Sequence, residues 1–397
     1  MSEKSGHGAV LVFVIWAMAL IGAVVAACLG RSIVAVMRAR ELTAEAEGRA
    51  LAEAGLARFL ARFLADEDGR DGPGEEWLPA ESSFSADGRS GIRVVDLGSR
   101  LDLNSAGEAA LLAFFGGARE PVDAVLDWRD EDREPRPAGA EADYYVGLDP
   151  PRRPADGFFL CPEEVLLVKG LGEMAPVIEE EATIFGRANP NLVPVEVFHG
   201  LLRAAGAEGW EAEAITAQFE RFREEARTAS RVPFKEEGDL HRLPALSGRL
   251  ITALAPALTF TGQINPNFAG ERTLAAGLAE LGLGPEKVRA ILAGRPFSDL
   301  AGFAAVIAAG EAKLKRDWIA QVFTLETTLV GVEAVGRPPA GGEYRIEAVF
   351  ERFHPPGESR RWRARLLYRR EGYTPVLLAA DGGSEESIEE EGSLARP

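Results

Sequence analysis

The chain has 397 residues, with 44 Lys and Arg against 62 Asp and Glu, a net charge of −18. A chain this acidic argues against nucleic acid as a partner, because phosphate binding depends on clustered cations. Its two cysteines, Cys28 and Cys161, supply no internal disulfide staple and leave the redox compartment open.

The first element is the uncharged apolar run Ala9–Leu29, which follows Ser5-Gly6-His7-Gly8. It is about the length a helix needs to cross the hydrocarbon core of a bilayer. Val25-Ala26-Ala27 can be misread as the cleavage site of an export signal, but the helical pattern does not stop there. From Arg31 to Leu64 there is no proline and there are two glycines, Gly48 and Gly55. Val36, Met37, Ala44, Leu51, Ala54, Phe59, Leu60, Phe63 and Leu64 recur at spacings near three and four, with Arg and Glu between them. The expectation is one continuous helix of roughly 55 residues, about 80 Å long. It is apolar all round in its first half and amphipathic in its second. The alternative is an ordinary single-span anchor followed by a separate helix. Lys4 before the span and Arg31, Arg38 and Arg40 after it orient the span weakly, and slightly against an exported domain.

Residues 67–74 are rich in Asp, Gly and Pro and read as a loop. Gly91–Leu97 alternates and is β-branched, which predicts a strand. Helical pattern then dominates from Leu101 to Trp318, with helices expected over Gly107–Phe115, Pro121–Arg129, Pro162–Val168, Pro194–Ala205, Glu211–Arg227, Leu246–Leu254, Gly270–Leu281, Pro285–Ala293 and Ser298–Gly310. Strand character returns over Gln321–Val335, Glu343–Phe353 and Arg361–Tyr368. Strands on both sides of a helical block point to an α+β fold, an antiparallel sheet interrupted by a helical insertion. The tail from Asp381 is acidic and poor in apolar residues, and its composition is that of a disordered segment.

The helical block contains a repeat. Thr183–Asn191 aligns without gaps on Thr259–Asn267, each ending in Asn-Pro-Asn, and Leu101-Asp-Leu-Asn-Ser105 is a weaker relative. Such asparagines bond their own backbone and cap a following helix, so they read as structural punctuation. Val165–Gly172 and Val288–Phe303 look like helix-hairpin-helix elements. That motif either holds phosphate on hairpin amides or serves as a packing module, and the acidic surroundings favour packing.

Asp127-Trp-Arg-Asp130-Glu-Asp132, followed by Gly139-Ala-Glu141-Ala-Asp143, is the most chemically loaded stretch. Oxygen ligands at short spacing around Gly and Pro turns suit a hard cation such as calcium. The spacing is not that of an EF-hand. A solvated acidic loop is the alternative, and an acid–base pair a more distant one. No His, Ser or Cys constellation accompanies these residues, and His7, His199, His241 and His354 are scattered, so no catalytic residue is assigned.

These residues together resemble a family, the K-type minor pseudopilins of bacterial type II secretion. The likeness runs over nearly the whole chain. Gly8 and Ala9 resemble the family's processing site, with a prepilin peptidase cutting after Gly8 and methylating the new terminus at Ala9. Leu101-Asp-Leu-Asn104 is similar to one Asn-x-Asn segment and Asn189-Pro-Asn191 to a later one. Glu163–Gly170 resembles a Glu-Leu…Gly turn. Asp127–Asp132 with Gly139–Tyr145 and Pro150-Pro151 is similar to the most specific signature.

The resemblance implies a pilin-like fold with a large all-α insertion bearing SAM-like elements, and calcium held by Asp127, Asp130, Asp132, Glu141 and Asp143. It implies other minor pseudopilins, the peptidase and secreted substrates as partners. The setting it implies is the bacterial inner membrane, with the C-terminal domain in the periplasm. Pilins in general carry a glutamate where this chain has Phe13, and the K-type family also lacks it. A buried carboxylate in a membrane needs a partner, and in pilins it is thought to pair with the terminal amine of the neighbouring subunit. A subunit with Phe13 cannot make that pair, and the insertion leaves little room for a subunit above it, so the resemblance implies a cap at the fibre tip.

The expected divisions are a leader at 1–8, the membrane half of the helix at 9–30 and its amphipathic half at 31–66. The first part of the β domain follows at 67–100, then the insertion at 101–318, the C-terminal strands at 319–380 and the acidic tail at 381–397. Two rival readings stand beside this one, a minor pilin of a type IV pilus and a membrane-anchored helix-hairpin-helix DNA receptor.

Overall fold

The computed structural model describes residues 6–66, 69–78, 83–85, 87–310, 314–354 and 361–375. The acidic tail, whose composition reads as disordered, and residues 1–5 of the expected leader lie outside the described residues. Helix α1 runs unbroken from Gly6 to Phe63, 58 residues. Over residues 10–43 its side chains are exposed or nearly so, Phe13 at 74 % and Trp16 at 72 %. This stretch is long and apolar enough to cross a membrane.

Burial begins at Ala44 and then follows one stripe, Ala44, Gly48, Ala52, Leu56, Phe59 and Phe63, at spacings of three and four. The stripe lies on a five-stranded antiparallel sheet. Its strands are β1 (Ser83–Phe84), β2 (Ser90–Asp96), β5 (Leu329–Gly336), β6 (Glu343–Phe353) and β7 (Arg363–Thr374), in the order β1-β2-β5-β6-β7. The core between them holds Ala52, Leu56, Phe59, Phe63, Trp77, Val94, Val330, Val332, Ile346 and Phe350. The backbones nearly touch at one point: a Cβ placed on Gly336 would lie 1.9 Å from the Gly48 carbonyl oxygen. Only glycine at both positions permits that approach.

The intervening block divides into three successive units, each beginning and ending in a parallel β contact. In the first, β3 (Leu101–Asp102) pairs with β4 (Ala182–Thr183), enclosing α2 (Glu108–Phe114), α3 (Arg119–Arg129), α4 (Ala142–Val146), α5 (Pro162–Val165) and α6 (Ala175–Glu181). In the second, Ala188 bridges to Leu258 around α7 (Val195–Ala204), α8 (Gly209–Thr228) and α9 (Gly248–Leu254). In the third, Ile264 bridges to Phe323 around α10 (Glu271–Glu280), α11 (Val288–Gly294), α12 (Leu300–Ile307) and α13 (Arg316–Val322).

Each unit has its own apolar core, built around Trp128 and Tyr145, around Phe198 and Phe219, and around Phe303 and Phe323. Each also carries the same clamp. Phe159 N–H donates to Asn104 Oδ1 while Asn104 Nδ2 donates to the Phe159 carbonyl, at 2.8 and 3.1 Å. Asn191 clamps Phe234 in the same way at 2.9 and 2.7 Å, and Asn267 clamps Phe297 at 2.8 and 3.1 Å. The repeat seen in the sequence is therefore threefold. Its asparagines do bond their own backbone, as Asn189 Oδ1 accepts Asn191 N–H. They do not cap the next helix, whose N-caps are Pro194 and Gly270. Their amides instead fix a distant phenylalanine backbone.

This is the α+β architecture expected, a long helix and a small antiparallel sheet interrupted by a helical insertion. Boundaries differ at a few places. The strand expected from Gln321 begins only at Leu329, because Ile319 and Val322 turn inward as the last helix of the third unit. Strand β7 runs on to Thr374, its pairing with β6 interrupted by a bulge between Val349 and Phe350. Helix α5 stops at Val165, and Gly170 makes the following turn with φ +78°. Helices α4 and α6 lie outside the expected helices: α4 spans only five residues, and α6 buries a single side chain, Ile178, ahead of three consecutive glutamates.

Candidate metal centre

The acidic stretch leaves the C-terminus of α3 and returns to α4. Three buried aromatic rings anchor its base. Trp128 meets Tyr145 edge-on with ring centres 5.1 Å apart and stacks on Phe159 at 6.1 Å. The loop between them closes over Asp127. The Arg136 N–H and its Nη1 donate to that carboxylate at 3.1 and 2.7 Å. Ala138 N–H donates to Asp123 Oδ2 at 3.2 Å. Lys169 Nζ donates to the carbonyls of Ala138 and Gly139 at 3.1 and 3.3 Å. A Cβ on Gly139 would sit 2.0 Å from Asp127 Oδ2, so the loop can close this tightly only with glycine there.

This closure separates the five candidate acids. Asp130, Asp132 and Glu141 each bring one carboxylate oxygen within 4.8 Å of the others. Asp127 is fully buried and its oxygens are taken up by Arg136, so it organises the loop rather than facing the cluster. Asp143 sits exposed in the first turn of α4. Glu141 is 6 % exposed, and neither of its oxygens has a hydrogen-bond partner; Asp130 Oδ1 is likewise buried and unpartnered. Burial, reinforced by the charges of Asp130 and Asp127, pushes the Glu141 carboxyl up to about 7. Burial also raises Asp130, against the pull of Arg136.

Buried carboxylates without donors are costly unless something positive satisfies them. The donor set here is all oxygen, with no imidazole or thiol, which is the chemistry of a hard cation. Sequence reading grouped the acids but missed Arg136, whose place in a Pro-flanked loop follows no period. Gly8 and Ala9 lie at the start of α1.

Residues 108–175 match the family model described as "Type II secretion system (T2SS), protein K", a segment from α2 to the start of α6 that contains all five acids. These residues carry the protein K signature. The resemblance to K-type minor pseudopilins read from the sequence therefore holds over the segment that defines the acidic loop. Among solved structures, the chain is similar to one from the crystal structure of the GspK-GspI-GspJ complex of the enterotoxigenic Escherichia coli Type 2 Secretion System. The two share 13 % identity with a TM-score of 0.49, covering 84 % of this chain and 99 % of that one. No curated protein matches the chain.

Proposed function

We propose that this chain is a non-enzymatic minor pseudopilin that caps or initiates the pseudopilus of a type II secretion machine and so supports export across the outer membrane. The observation that carries the reading is α1. Its first 34 described positions with side chains, 10–43, stand free of the domain, and the same helix then continues without a break into the sheet core. That is the form of a rod that anchors in a bilayer and bundles with similar rods. Processing after Gly8, methylation at Ala9, an inner-membrane anchor and a periplasmic domain belong to the same proposal, as do other minor pseudopilins, the prepilin peptidase and secreted substrates as partners. Phe13, exposed on α1, gives no carboxylate to a neighbour below, which suits a first subunit.

The proposal includes calcium. Asp130, Asp132 and Glu141 would hold the ion, Asp130 and Glu141 through buried oxygens that have no hydrogen-bond partner, supplying part of the six to eight oxygens that calcium takes. The ion would neutralise the packed carboxylates and rigidify the loop.

Deletion of the gene, with export of secreted proteins as readout, tests the reading. Loss of export, restored by the full chain and not by a chain lacking residues 1–43, supports it. Unchanged export in the deletion strain overturns it.

A further inference from the structure

We infer that Arg136 is a tethered counter-ion of the acidic centre and sets how tightly that centre holds a divalent cation; the inference rests on the cation reading above. Arg136 Nη1 reaches Asp127 Oδ1 at 2.7 Å and Asp130 Oδ2 at 2.5 Å. It therefore bridges the acid that organises the loop and an acid that faces the cluster. It takes one oxygen of Asp130 and leaves the other, Oδ1, buried without a partner beside Glu141. The guanidinium is fixed at its base as well, since Arg136 N–H donates to the same Asp127 carboxylate. Its side chain remains 34 % exposed, so it is not walled in by the core.

Two consequences follow. Without a cation, three carboxylates within 4.8 Å would repel one another, and Arg136 offsets part of that charge. The loop can thus keep its shape before any ion arrives. With a cation, the fixed positive charge of Arg136 lies against the ion and competes with it for Asp130. The site gains preformed geometry and gives up affinity.

The test uses the full chain in detergent, with calcium titrated by calorimetry and terbium luminescence excited through the nearby Trp128 and Tyr145. Arg136→Gln removes the charge and keeps hydrogen-bonding capacity; it is expected to bind calcium at least tenfold more tightly and to melt lower in EDTA than the parent. Arg136→Lys keeps the charge without the fork and is expected to stay within about threefold of the parent affinity. Equal or weaker calcium binding by Arg136→Gln, or an equal change in Arg136→Lys, overturns the inference. Absence of calcium binding in the parent and in both variants overturns the cation reading and this inference with it.

Discussion

Arg352 Nη2 donates to Asp71 Oδ2 at 2.6 Å, and both side chains are almost wholly buried, 1 % and 0 % exposed. This pair joins three parts of the molecule. Arg352 Nη1 donates to the Phe63 carbonyl and to Asp66 at the end of α1, and its Nε donates to the Thr327 carbonyl at the entry to β5. The guanidinium lies over the rings of Phe63 and Trp362, 4.6 and 4.7 Å from their centres. The Asp71 carbonyl accepts from Asn265 and Asn267 of the third helical unit. The N-terminal helix, the sheet and the insertion therefore meet on one buried ion pair.

Removing Arg352 leaves the Asp71 carboxyl, which burial already pushes up to about 8 against the pull of Arg352, buried without its guanidinium, and loss of one partner of such a pair costs about 3–5 kcal/mol. Arg352→Met is expected to destabilise the protein by that order, read as a lowered midpoint in denaturant unfolding. The double variant Arg352→Met, Asp71→Leu should recover part of the loss. No recovery would mean that the packing of Arg352 over the rings, rather than the charge pair, dominates.

The three Asn–Phe clamps predict graded and independent effects. Asn104→Ala, Asn191→Ala and Asn267→Ala each strip partners from a phenylalanine backbone N–H and carbonyl, at about 1–3 kcal/mol each. The sites lie in separate units with separate cores, so pairs of these substitutions should add. Stability of the three single and three double variants checks this.

At the crossing of α1 and the sheet, Gly336→Val forces a side chain onto the Gly48 carbonyl oxygen. The expected cost is about 1–3 kcal/mol or more. The loss should come with increased proteolysis around 48–63, because the helix must lift from the sheet to accommodate the side chain. Gly22→Val, on the bare part of the same helix with nothing within 4 Å, should leave proteolysis of the domain unchanged.

Burial raises the carboxyl of Glu280 to about 7, partly offset by a hydrogen bond from Gly107 N–H and by the charge of Arg223. A carboxyl whose folded value lies above its unfolded one favours folding while protonated. Its contribution is full below the unfolded value of about 4.3 and is lost as pH rises through about 7. Glu280→Gln should remove this component. The difference in stability between variant and parent, measured from pH 4 to pH 8, should grow in favour of the variant as pH rises.

Much of this was legible in the sequence, for identifiable reasons. The long helix announced itself because apolar spacing continues past the uncharged apolar stretch, and β6 matched its expected limits because its first half, Glu343–Ala348, alternates polar and apolar residues. The start of β5 was misplaced because Gln321–Thr328 alternates by coincidence while its first two residues belong to α13. The Asn-Pro-Asn repeat was visible, but its clamps were not. Their phenylalanines lie 55, 43 and 30 residues downstream, at no fixed offset. Composition gathered the five acids. Only the fold could show that Arg136 draws Asp127 away and that Asp143 sits on an exposed helical turn.

The central claim is that α1 joins this chain to other minor pseudopilins. The most direct measurement is purification of the tagged full chain from detergent-solubilised membranes of cells expressing the minor pseudopilins of the same secretion system. The account predicts that they co-purify in fixed stoichiometry and are lost when Ala44, Ala52 and Leu56 keep their places but residues 9–43 are removed. A full chain that elutes alone under the same conditions would contradict it.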